Sequence, residues 1–161
     1  MVVIGGVRGT LTGSEVEKAE QYRRAVAAIR RYGEYAVEQK VALVIEPINR
    51  YETSYINTIA DAMQFISEVD LGNLGILADT FHMNIEEANL AESLRSAGDS
   101  IHHLQFTDSN RLAAGRGHID FHSLAAVLRD SGYRGYLSTE TLPLPDSKTA
   151  ASQAIELFRT L

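Results

Sequence analysis

Five short apolar runs, each followed by a longer stretch with helical periodicity, constrain this chain more than any other feature. The runs are Val2 to Val7, Val41 to Ile45, Leu74 to Ala78, Ile101 to Phe106 and Tyr136 to Thr139. Strand-like segments alternating with helix-like ones mark βαβ units and a parallel sheet. Val41-Ala42-Leu43-Val44-Ile45 is continuously apolar, as a strand covered on both faces requires; a strand with one wet face would alternate. The sequence therefore predicts an α/β fold of five βα units, with no low-complexity segment and no domain boundary within residues 1–161.

The helix starts carry their own signals. Ser14-Glu15-Val16-Glu17 fits a capping box, in which the serine hydroxyl accepts one orphan amide and Glu17 reaches back to another. Tyr22, Val26, Ile29, Ala36 and Val37 then recur at near-helical spacing, which leaves Arg23, Arg24, Arg30 and Arg31 mainly on the wet side. A second helix is expected from about Thr58 to Val69, with Asp61 placed for a capping-box variant. A third is expected from about Ile85, with Asn84 as N-cap and Glu87 three residues on. The last two are expected from near Asp120 to before Ser131-Gly132, and from about Ser147.

Composition narrows the function classes. With 45% hydrophobic and 22% charged residues the chain can fill a core, and disorder is excluded. The absence of cysteine excludes a disulfide scaffold, a thiolate nucleophile and any thiolate-held zinc or iron–sulfur site. A net charge of −6 argues against a nucleic-acid surface, which needs clustered Lys and Arg. No apolar run approaches the ~18 residues of a membrane span, and MVVIGGVRGT has no basic region before its apolar stretch, so no signal peptide is read there. The expectation is a cytoplasmic protein.

What ends each strand points to chemistry. Glu46 follows the second run, Asp79 the third and Glu140 the fifth, while Gln105 lies at the end of the fourth. In parallel α/β architectures the carboxyl ends of the strands converge on one face, where active sites lie. Strand-end carboxylates can also cap the next helix or pair with an arginine, but four polar groups one βα unit apart favour a shared site. Three carboxylates converging without a basic partner would repel one another, and a divalent cation resolves that. An all-oxygen set suits Mg²⁺, Mn²⁺ or a related hard ion.

Three stretches also carry a resemblance: Ile45-Glu46-Pro47-Ile48-Asn49-Arg50-Tyr51-Glu52, Leu77-Ala78-Asp79-Thr80-Phe81-His82-Met83-Asn84-Ile85-Glu86-Glu87 and Asp108-Ser109-Asn110-Arg111. In order and spacing the chain resembles the sugar isomerase/epimerase group of xylose isomerase-like TIM barrels, which includes ketose 3-epimerases and hydroxypyruvate isomerases. The resemblance implies one divalent metal, Mn²⁺, Mg²⁺ or Co²⁺, held by Glu46, Asp79, Gln105 and Glu140, with Glu46 and Glu140 also the catalytic acid/base pair. It implies that Glu52, His82 and Arg111 contact substrate. One position departs from the epimerases, whose fourth ligand is the second His of an H-x-H strand. Here that strand reads His103-Leu104-Gln105, and glutamine is what the hydroxypyruvate isomerases carry.

The reaction class follows from physics as well. A 2-hydroxy ketone chelated to a cation has an acidified C–H beside its carbonyl, and the ion stabilises the enediolate left by proton removal. Two carboxylates on opposite sides of the substrate plane permit epimerisation; one carboxylate moving the proton between neighbouring carbons gives aldose–ketose isomerisation. The expected partner is thus a small sugar or hydroxy-ketone. The other histidines have plainer readings. His103 shares the face of Gln105 and is expected in a buried hydrogen bond, with His102 facing the opposite way, and His118 and His122 flank a helix start as capping or surface residues. The loop Ala113-Ala114-Gly115-Arg116-Gly117 lacks the G-K-[ST] of a phosphate loop.

Two rivals remain. Endonuclease IV-type barrels hydrolyse phosphodiesters with several metals and many histidines, which are too few here. The other is a truncated or non-catalytic metal- or sugar-binding subunit. A complete (β/α)8 barrel has eight strands in about 250 residues, and the resemblance covers only the last five βα units of such a barrel. A partial barrel leaves two unpaired edges and an uncovered apolar inner face, which predicts a homodimer or higher oligomer, or completion by a separate N-terminal piece.

Overall fold

The computed structural model describes residues 1–5 and 9–161. Five parallel strands form one sheet in the order of the sequence: β1 (Val2–Gly5), β2 (Leu43–Glu46), β3 (Leu74–Asp79), β4 (Ile101–Gln105) and β5 (Leu137–Ser138). Each strand's neighbour is thus the next in the chain, as right-handed βαβ crossovers produce. The expected continuation of the first strand to Val7 falls outside the described residues. The expected fifth strand contracts to Leu137 and Ser138, because only these two pair with Leu104 and Gln105.

Helices α1 (Glu15–Glu38), α2 (Ile59–Val69), α4 (Leu90–Ala97) and α5 (Phe121–Asp130) pack neighbour to neighbour. The Ser14 and Thr58 capping boxes form as expected. Asp120 caps α5, and Asp146 caps the closing helix α6 (Ser147–Phe158). One helix differs. A helix from Ile85 capped by Asn84 was expected, but α3 (Thr80–Glu86) starts directly from β3 with Asp79 as its N-cap, and Asn89 caps α4. The Asp79 carboxylate accepts the Phe81 N–H at 2.8 Å, so the strand turns into the helix with no loop between.

Every residue of β2 and β3 is buried, matching their unbroken apolar runs. Between sheet and helices lies a core that includes Phe65, Phe106 and Phe121, with Tyr22 edge-on to Phe65 at 5.7 Å and Phe106 5.0 Å from Phe121. Gly75 in β3 takes the His102 ring against its backbone, where a Cβ would collide. Asn73 ties α1 to the sheet by donating to the carbonyls of Gly33 and Val41. The edges are different in kind. Val2 and Val3 of β1 are 52% and 44% exposed, and Tyr136, Leu142 and Leu144 are exposed beside β5. No helix among the described residues is long and apolar enough to cross a membrane. Truncating Phe65, which has no exposed surface, to alanine is expected to destabilise the chain by about 3–5 kcal/mol, measured by urea unfolding.

Candidate active site

The register sets the site. Asp79 lies opposite Gln105, and Gln105 opposite Ser138, so the ends of β3, β4 and β5 come level. Glu46 ends β2 on the same side. Glu46 and Asp79 are buried, and their carboxylates together with the His82 imidazole place one ligand atom each within 4.8 Å of one another. His82 Nε2 is 3.9 Å from Glu46 Oε1. His82 reaches this mouth because α3 begins at once after Asp79, so its first turn carries the ring back over the strand end. Asp79 Oδ2 and Gln105 Oε1 are buried and find no hydrogen-bond partner among the described residues.

Glu140 is held at the backbone rather than the carboxylate. Thr107 Oγ1 donates to the Glu140 carbonyl and accepts its N–H, both at 3.1 Å, which extends the β4–β5 alignment past the end of β5. The Glu140 side chain is half exposed and lies 3.7 Å from Arg111, which is also 3.7 Å from Glu52. The Arg111 guanidinium sits 4.8 Å over the Phe81 ring. The structure thus gathers Glu46, Asp79 and His82 closely, and links Glu52, Arg111 and Glu140 beside them. Gln105 shares the strand-end level with its oxygen unpartnered.

Three residues that the sequence reading passed over organise the mouth. Asn49 donates to Glu52 Oε1 at 3.0 Å and lies 2.8 Å from His82 Nδ1. Arg50 makes a forked bridge to Glu86, at 3.0 and 2.8 Å, which pins the β2–α2 loop to the end of α3. Asp108 is buried and accepts the N–H groups of Ser109, Gly115 and Ile119, fixing the turn on which Arg111 adopts φ 60°. Burial works against ionisation of Asp108, but the N–H groups of Ser109, Gly117, Ile119 and Gly115 outweigh it and hold the carboxyl below its usual range. Gly117 passes so close to Asp108 that a Cβ would collide. The Asp-Ser-Asn sequence is itself the signal of such side-chain-to-backbone turns. The remaining histidines follow expectation: His103 Nε2 is 2.7 Å from Ser138 Oγ, and His118 Nδ1 is 2.9 Å from Ser109 Oγ on the surface.

A parallel sheet whose strands neighbour one another in chain order, with helices between them and acidic and amide groups at the strand ends, has the arrangement of part of a TIM barrel, with its candidate active site at those ends. The chain belongs to the xylose isomerase-like TIM barrel family, whose sequence profile matches residues 1–161. It is 36% identical over 146 residues to the D-psicose 3-epimerase of Agrobacterium fabrum, covering 91% of this chain and 50% of that protein. It is 40% identical over 113 residues to the 3-dehydro-D-guloside 4-epimerase of Escherichia coli, covering 70% of this chain and 43% of that protein. Among solved structures, the Methylomonas D-allulose 3-epimerase in complex with D-allulose superposes with a TM-score of 0.84 at 30% identity, over 95% of this chain and 59% of that one. The chain spans about half the length of the curated relatives it matches.

The titration of Asp79 gives the site a measurable signature. Burial pushes its carboxyl up to about 7; the Phe81 N–H opposes this, Glu46 adds to it, Arg111 subtracts and Glu140 adds. A carboxyl whose pKa is raised on folding favours the folded state while protonated. The metal-free chain should therefore lose stability as pH rises from about 4 to about 7, by a few kcal/mol from this group, and level off above. Asp79→Asn should flatten that part of the curve, as measured by thermal unfolding from pH 4 to 8.

Proposed function

We propose that the chain is a divalent-metal-dependent sugar isomerase or epimerase, moving a proton beside the carbonyl of a small ketose or hydroxy-ketone. The observation that carries this reading is the convergence of Glu46 and Asp79 with two buried unpartnered oxygens, Asp79 Oδ2 and Gln105 Oε1, at one set of strand ends. Oxygen atoms buried without partners are costly, and an all-oxygen donor set fits a hard divalent ion such as Mn²⁺, Mg²⁺ or Co²⁺. Glu46, Asp79, Gln105 and Glu140 would hold it. When bound, the ion would supply positive charge to the oxygen that becomes anionic as the proton leaves.

The chain's own residues divide the remaining work. Glu46, buried at the end of β2, and Glu140, beyond β5 beside Arg111, would remove and return the proton at the substrate carbon. Both act electrostatically on the Asp79 carboxyl, each raising it. Glu52, His82 and Arg111 would bind the substrate hydroxyls, with Arg111 braced on Phe81. Relatives named as 3-epimerases and as a 4-epimerase support proton transfer beside a carbonyl as the shared chemistry.

The chain incubated with Mn²⁺ and a panel of ketoses and hydroxypyruvate in D₂O should incorporate deuterium beside the carbonyl. Glu46→Gln and Glu140→Gln should each slow that exchange by about 10²–10⁴-fold. Asp79→Ala should abolish Mn²⁺ binding in calorimetric titration. Exchange absent from every substrate with the metal bound would identify a metal-binding subunit without turnover.

The open sheet adds an assembly proposal. Among the described residues β1 has a parallel neighbour on one side only; its Val2 and Val3 are exposed, and Val2 lines an apolar groove with Tyr32 and Tyr35 of α1. Apolar strand edges recruit further strands. We propose that a second copy covers this side. Light scattering coupled to size exclusion should give a dimer or larger species, and a well-folded monomer of 17.7 kDa would refute it.

A further inference from the structure

His82 stands in the mouth with two jobs open to it. Its ring atom lies within 4.8 Å of ligand atoms of Glu46 and Asp79, which suits a metal ligand. A ligand nitrogen needs a lone pair, and a histidine that binds metal through one nitrogen donates the other ring N–H to an acceptor. The surroundings of His82 Nδ1 are the reverse. The Asn49 side-chain nitrogen lies 2.8 Å away, and the Asn49 backbone N–H points at the same atom from 3.4 Å.

The amide cannot be turned round to make Nδ1 a donor. Asn49 Oδ1 accepts the Tyr51 N–H at 3.0 Å, and Nδ2 donates to the Glu52 carboxylate at 3.0 Å. A flipped amide would set oxygen against the Glu52 carboxylate and nitrogen against the Tyr51 N–H, so both contacts fix one orientation. Asn49 and His82 are 2% and 3% exposed, which leaves little room for water to substitute. Nδ1 is therefore an acceptor, and the neutral ring carries its proton on Nε2, the nitrogen that faces Glu46.

We infer that Asn49 is a positioning residue that holds His82 as the Nε2–H tautomer, so that the imidazole donates a hydrogen bond to a substrate oxygen and does not ligate the metal. The same amide group orients Glu52, so one side chain sets two of the proposed substrate contacts. The substrate role rests on the proposed function; the tautomer does not.

Long-range ¹H–¹⁵N correlation spectra of the metal-free, ¹⁵N-histidine-labelled chain test it, about two pH units above the ordinary histidine pKa of ~6.5, where neutral rings dominate. The His82 signal is assigned by its loss in His82→Ala. The wild-type ring is expected in the Nε2–H form, and an Nδ1–H pattern overturns the inference. Asn49→Asp replaces the donor with an acceptor and should shift His82 toward Nδ1–H; an unchanged pattern in the folded variant removes Asn49 from the role. If Asn49→Asp does not fold, the wild-type spectrum still decides the tautomer. In Mn²⁺ titration, His82→Ala should change affinity by less than about threefold, whereas a loss of about tenfold or more makes His82 a ligand and overturns the donor role. Failure of the wild-type chain to bind Mn²⁺ would count against the proposed function alone, since the spectra are recorded without metal.

Discussion

The structure depends on one costly placement, the burial of carboxylates where the sheet ends. Asp79 is 1% exposed, and such a group has to be neutral, hydrogen-bonded or matched by a positive charge. The chain meets part of that cost locally. One Asp79 oxygen accepts the Phe81 N–H in the first turn of α3, where the partial positive charge of the helix end also favours an anion. The other oxygen is left facing the mouth. A residue that is at once a strand end and a helix cap cannot be displaced by an intervening loop, so its position is set by backbone geometry.

The surrounding loops are anchored by buried apolar residues, Ile48 and Ile56 after β2 and Phe106 and Ala114 after β4, and are oriented by charge. Arg50 and Glu86 join the end of β2 to the end of α3, and Asp108 gathers backbone N–H groups of the segment after β4. Each bond of this kind contributes modestly on its own, and more where the acceptor is a buried carboxylate. Together they hold Asn49, Glu52 and Arg111 on irregular backbone around a rigid floor. At the edges of the sheet Val2, Val3 and Tyr136 meet solvent.

Much of this was legible in the residues because burial and capping are local constraints. The unbroken run Val41–Ile45 requires cover on both faces, and β2 has it. Ser14 with Glu17, and Thr58 with Asp61, mark helix starts that the structure reproduces. Glu46, Asp79 and His82 could be placed in one mouth from strand position and a three-residue offset. The start of α3 was not legible because Asp79 serves as a site residue and as the helix cap at once. A capping aspartate and a site aspartate have the same sequence signature, and Thr-Phe-His after it carries no periodicity long enough to show a seven-residue helix. Asn49 was invisible for another reason: its partners Glu52 and His82 lie 3 and 33 residues away, and only the folded chain brings them to one amide.

The relatives sharpen what this half of a barrel can specify. The chain is 40% identical both to a D-psicose 3-epimerase of Enterocloster bolteae and to the Escherichia coli 4-epimerase. Proteins named for reaction at different carbons are thus matched at the same identity, over 119 and 113 residues. On the proposed reading, what this chain would supply to reaction at either carbon is charge to stabilise an oxyanion and carboxylates to move a proton. On the same reading, the choice of carbon would depend on how far the sugar slides past that fixed charge. Glu46 and Asp79 are fixed at the ends of β2 and β3, whereas the half-exposed Glu140 and the Arg111 turn lie toward the β5 edge of the sheet. On the proposed reading, the charge is built into this chain, and the register of the substrate would be set by what meets that edge.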